Sequence, residues 1–195
     1  MTINCDWPEK NARLFEPSDN FYNNAWFNWV REGKWDLYAD SYKEAADILV
    51  DRLLGSRDHS LDKFVYPICF MYRQYLELRL KEIILKYLPQ DQRKIKVRKL
   101  NHNISCLWYE AKKVLEEIYQ KDDKSVLVPV EDYVMQFHQM DESSSSFRYP
   151  VDRNDDAHFK DLEKIDVNNL QLRINQLADF LDACSAGIDA YLEYE

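Results

Sequence analysis

The apolar positions of this chain recur at helical spacing almost throughout. Tyr38, Tyr42, Ala45, Leu49 and Leu53 follow one another at intervals of three or four and stop at Gly55. That is one face of a helix closed by a glycine, with Asp36 placed as its cap. From Ser60 to Tyr87 or Leu88, just before Pro89, Ile68, Met71, Tyr72, Tyr75, Leu76, Leu80, Ile83 and Ile84 fall on nearly every side. A helix apolar all round is a central one. Pro67 either kinks it or marks its first turn.

Further on, Asn101 or Asn103 caps a predicted helix whose inner face is Ile104, Leu107, Trp108, Ala111, Leu115 and Ile118. Pro129, followed by Glu131 and Asp132, suits a first helical turn, with Val130, Tyr133, Val134 and Phe137 facing inward. The Ser143–Ser146 run ends that helix. The last predicted helix carries a heptad-like seam of Leu170, Ile174, Leu177, Leu181, Cys184, Ile188 and Tyr191, suited to a bundle interior or to a second copy. Upstream, Ser18 or Asp19 is placed to cap a first helix running to Glu32, before Gly33. No segment alternates as a strand does.

Composition agrees. The chain has 195 residues, 46% hydrophobic, with only 3 glycines and 6 prolines. A sheet-rich domain of this length uses more turn glycines. The expected architecture is therefore an all-α bundle of five to seven helices with a long central and a long C-terminal helix. Residues 1–60 read as aromatic-rich N-terminal helices packing on a bundle formed by 61–195, the whole making one compact domain.

The formal charge of -9 disfavours coating of nucleic acid through bulk electrostatics. It leaves room for a local basic site, and one dense run exists: Arg93, Lys94, Lys96, Arg98 and Lys99. The four cysteines, Cys5, Cys69, Cys106 and Cys184, form no C-x-x-C pair. The last three stand among apolar residues and read as small core hydrophobes in a reducing compartment. The polar opening MTINCDWPEK is no signal peptide, and no apolar run approaches the ~20 residues a bilayer requires. A cytoplasmic protein without membrane contact is expected.

No metal-ligand spacing, phosphate-binding glycine loop or dinucleotide fingerprint occurs, so no metal or cofactor is expected. His59 and His138 read as structural or surface residues. Trp26, Trp29 and Trp35 read as the aromatic cap of a bundle end, or as a surface that stacks bases or grips a protein partner.

Polar residues interrupt the helical pattern at three places. Arg73, Glu77 and Lys81 share one row of the central helix at spacings of four, as intrahelical ion pairs do. Asn101-His102-Asn103 precedes the fourth helix directly after Arg98 and Lys99, either as an ordinary cap or as an anion seat at a helix start. The segment Ser146–His158, SFRYPVDRNDDAH, holds Arg148, Asp152, Arg153, Asn154 and His158 around Pro150. Phe147–Asp152 reads as a clasp, with Arg148 pairing to Glu77.

Taken in order, Tyr72–Leu85 (YRQYLELRLKEIIL), Leu100–Trp108 (LNHNISCLW) and Phe147–Pro150 (FRYP) resemble the HEPN superfamily of helical-bundle proteins. The likeness is to prokaryotic members of defence and toxin–antitoxin systems. It covers about Leu61 to Ala190 and leaves the aromatic N-terminus outside. The resemblance implies a homodimer. Arg73, Glu77, Lys81, Arg98, Lys99, His102, Asn103, Arg148 and Asp152 are expected to form a polar pocket for RNA or a nucleotide, or else to lock the fold.

Catalytic members are metal-independent endoribonucleases, and the resemblance carries Arg153, Asn154 and His158 onto their motif. His158 would serve as acid and base, and Arg153 would hold the phosphate. In the family that motif lies at or within the last helix; here Asp166-Val167-Asn168 separates His158 from the heptad seam. A third expectation is a non-enzymatic interaction subunit working through the aromatic N-terminus and the heptad face.

Overall fold

The computed structural model describes residues 10, 13–27, 34–56, 60–120, 123–160 and 162–194. The chain divides into two compact units, Met1–Glu32 and Gly33–Glu195. The boundary thus falls near 32 rather than near 60, and the helix after it belongs to the larger unit. Among the described residues that unit is all-helical, with one isolated bridge between Val151 and Ala157.

Its helices are α1 (Lys34–Leu53), α2 (Ser60–Tyr87), α3 (Gln90–Lys99), α4 (Ile104–Ile118), α5 (Leu127–Met140) and α6 (Val167–Tyr194). Helix α2 is the axis. It packs against α1, α4 and α6, while α5 lies on α4 and touches α6. Its 28 residues span about 42 Å. Tyr72, Tyr75, Leu76, Leu80 and Ile83 on it are fully buried, as expected for a helix apolar on every side. Pro67 lies inside α2, so it marks neither end.

Most predicted faces hold. Ile104, Leu107, Trp108, Ala111 and Leu115 of α4, and Val130 and Val134 of α5, are buried. The α6 seam turns inward within a single chain, with Ile174, Leu177, Leu181, Cys184 and Ile188 all in the core. At Gly55 the backbone adopts φ +80 after α1, a conformation that only glycine takes without strain.

Four expectations change. The face of α1 is rotated from the predicted row: Ala39, Ala46 and Val50 are buried, whereas Tyr38 is half exposed. Cys106 is exposed rather than core; it lies in the first turn of α4, where its N–H meets the Asn103 cap. The basic run is itself a helix, α3, with no buried residue. Strong helix formers and basic residues in its last turn suffice without an apolar face.

In the N-terminal unit the only helical piece among the described residues is a three-residue 3₁₀ turn, Phe21–Asn23, in place of the helix expected from 18 onward; positions 28–32 of that expected helix lie outside the described residues. Side chains capture the backbone there. Asn20 Oδ1 accepts from the Tyr22 N–H, and the Asn24 amide donates to the carbonyls of Ser18 and Asn20. Such local bonds compete with helical ones. Cys5, Trp29 and His59 lie outside the described residues.

Candidate functional site

The centre of the bundle holds a charged cluster. Arg73 and Glu77 are 0% and 1% exposed. Spacing of four on α2 brings Arg73 Nη1 to Glu77 Oε2 at 3.0 Å and Lys81 Nζ to Glu77 Oε1 at 2.7 Å. The fully buried Arg73 also donates to the main chain, giving Nη2 to the His102 carbonyl at 2.6 Å and Nε to the Asp141 carbonyl at 3.1 Å. Asp141 Oδ2 lies 3.2 Å from the same Nε as an ion pair. It makes no hydrogen bond, because that N–H is directed at the Asp141 carbonyl. The cluster therefore balances two cations, Arg73 and Lys81, against two carboxylates, Glu77 and Asp141. Buried charges persist only when paired in this way.

Glu77 is the hub. Burial alone would push its carboxyl up, but the Lys81 hydrogen bond and charge, joined by those of His102, hold it below the usual range. An ionised Glu77 only accepts hydrogen bonds. His102 Nδ1 lies 2.8 Å from Glu77 Oε1, so Nδ1 must carry the proton. The Nδ1 edge of the ring is thereby held by Glu77, Nε2 is left for solvent, and the side chain is 70% exposed. Asn103 beside it caps α4, accepting from the Cys106 N–H at 3.0 Å.

The basic helix α3 ends at Lys99, three residues before His102, a separation of at most about 11 Å. Arg93 is committed to capping α2, donating to the carbonyls of Leu88 and Lys86. Lys96 pairs with Glu110. Lys94, Arg98 and Lys99 are exposed.

The segment 141–166 joins α5 to α6 without a helix. Asp141 organises its start, where Oδ1 accepts from the N–H groups of Ser145 and Ser146 at 2.7 and 2.9 Å. This corrects the expected clasp. Arg148 does not reach Glu77; it donates to the Ser144 carbonyl and lies over the Tyr149 ring. The carboxylate that closes the loop onto α2 is Asp141, whose backbone leaves α5 directly beside Arg73.

Asp152 is likewise apart from the cluster. Its Oδ1 accepts from the N–H groups of Asn154 and Asp156 at 2.8 and 3.0 Å, and the Asp156 bond, then the Asn154 bond, lower its carboxyl. Arg153 and Asn154 sit exposed in this tight turn, and half-buried His158 lies at its base with its N–H on the Pro150 carbonyl. None of the three stands on a helix.

The structure thus unites Arg73, Glu77, Lys81 and His102, places Asn103, Arg98 and Lys99 along the neighbouring chain, and separates Arg148, Asp152, Arg153, Asn154 and His158. Two features escaped the sequence reading. Asp141 was readable only as the polar residue ending the α5 pattern. A second charged cluster joins Arg79 to Glu82, Asp40 and Asp182, and Lys86 to Glu82 and Asp189, tying α2 to α1 and α6. Its signal was the spacing 79, 82, 86 within a helix already predicted to be buried.

Among the described residues no acidic, histidine and cysteine group could hold a metal ion, and no helix is long and apolar enough to cross a membrane. Burial pushes the Cys69 thiol up to about 12 and the Cys184 thiol up to about 11, so neither supplies a thiolate near neutrality. Comparison with protein-family models, with curated proteins and with solved structures gave no match to this chain.

Proposed function

We propose that this chain is a HEPN-like helical module of a bacterial defence or toxin–antitoxin system that binds the phosphates of RNA or a nucleotide. The carrying observation is His102. Buried Glu77 fixes its ring while most of the side chain stays exposed, and Arg98 and Lys99 lie immediately upstream. Arg73, Glu77 and Asp141 do not meet the ligand. They hold the His102 segment and the 141–166 loop on α2. With Nδ1–H engaged by Glu77, the doubly protonated ring presents Nε2–H outward, and that donor at a helix start, with cations beside it, is suited to a phosphate.

The test is fluorescence anisotropy with a 5′-labelled single-stranded RNA, and in parallel with a labelled nucleoside triphosphate. Wild type should bind one of the two. His102→Ala and Arg98→Ala/Lys99→Ala should each weaken binding about tenfold, the value of one or two charge-assisted bonds. All three side chains project from exposed positions, so the variants retain the fold. Absence of binding by wild type, or binding unchanged in both variants, overturns the reading.

A further inference from the structure

A cavity of about 760 Å³ lies within the larger unit, away from His102, bounded by α2, α5, α6 and the 141–166 loop. Its wall is aromatic: Tyr66, Tyr133, Phe137, Phe147 and Phe159 all line it. Phe147 and Phe159 stack at 5.1 Å with their planes 22° apart, and Tyr66 lies 6.3 Å from Phe159. Ile174 and Leu177 are the buried aliphatic residues of the lining. Every charged lining residue, namely Glu163, Lys164, Asp166 and Arg173, is exposed, and their charges cancel. Two are already engaged: Asp166 caps α6 through the Asn169 N–H, and Arg173 donates to Gln176.

The loop is bent to build this wall. Phe159 has φ 59, in the left-handed region. A bulky residue stays there only where its surroundings impose it, and such strain gathers at functional sites. Next to it, His158 Nε2 is buried without a hydrogen-bond partner.

From the size, the stacked aromatic wall and a lining whose four charged residues are exposed and cancel, we infer that this cavity binds an uncharged, planar aromatic small molecule. The volume falls within the range of small-molecule sites, roughly 300–1,000 Å³. Tyr66, Tyr133, Gln136, Asn169 and Cys69 are the uncharged polar residues of the lining, the few groups from which a ligand's orientation could be set. This site is separate from the phosphate-binding reading and uses none of its residues.

The probe is N-phenyl-1-naphthylamine, an uncharged fused aromatic that fluoresces when removed from water. Titration of the full chain should give saturable one-to-one enhancement at micromolar probe. The side-chain methyl resonances of Ile174 and Leu177 should shift, and those of Leu80 and Ile83 on the remote part of α2 should not. Val65→Trp fills the cavity and should weaken binding at least tenfold, whereas His102→Ala should leave it unchanged. Non-saturable enhancement, or saturation with methyl shifts away from Ile174 and Leu177, overturns the inference even if Val65→Trp does not fold. Loss of phosphate binding with retained probe binding tells against the other site alone.

Discussion

Glu77 shows at the scale of one residue how burial and charge combine. Its folded carboxyl lies below its ordinary value of 4.5, so the folded state favours the ionised form. The resulting stability is fully present above 4.5 and is lost as pH falls through the lower, folded value. Glu77→Gln should cost about 3–5 kcal/mol at pH 7, because it strands Arg73 and Lys81 without their shared carboxylate. Urea unfolding should show that penalty shrinking at an acid pH below the folded value, where wild type has lost the same charge. A penalty equal at both pH values would mean that shape rather than charge holds the cluster. The row Arg73, Glu77, Lys81 was legible in the sequence because spacing of four is a local property of a helix. The partner of Arg148 was not legible. It depends on a loop path set at Ser144, Asp155 and Phe159, all with positive φ and none a glycine.

Among the elements, the sequence reading succeeds where an apolar face exists and fails where it does not. Helices α4, α5 and α6 follow from their inner rows. Helix α3 buries nothing, so no hydrophobic period announces it; the stretch from Ser18 has helical-looking spacing, but the side chains of Ser18, Asn20 and Asn24 bind the backbone of 18–24 instead. The 141–166 loop is the largest element without any period, and Asp141 holds it. One carboxylate there meets Arg73 and two loop N–H groups. Asp141→Ala should therefore release the loop as well as destabilise the bundle, by about 3–5 kcal/mol. Trypsin reads the difference, since Arg148 and Arg153 are exposed within it. Below the thermal midpoint, cleavage after these two residues should accelerate about tenfold in Asp141→Ala. A lowered midpoint with unchanged cleavage would show that the loop is held elsewhere, for example by the Phe147–Phe159 stack.

On the scale of the whole molecule, a chain of net charge -9 is asked to bind a polyanion. Bulk electrostatics oppose this, so any attraction must be local and carried by few contacts. Of the five cations around α3, Arg93 caps α2 and Lys96 pairs with Glu110, which leaves Lys94, Arg98 and Lys99. Each phosphate neutralised on a single strand contributes about −0.7 to the slope of log affinity against log salt. Three contacts give roughly −2, far shallower than a protein that coats nucleic acid. Arg98→Ala should then reduce the slope by about 0.7 as well as weaken binding. Anisotropy titrations from 50 to 200 mM salt measure both quantities. A slope near −6 would require about nine phosphate contacts, more than the exposed cations of α3 can make, and would move the nucleic-acid surface elsewhere on the chain. A slope near zero in wild type would remove phosphate recognition altogether and leave His102 as part of the structural cluster alone.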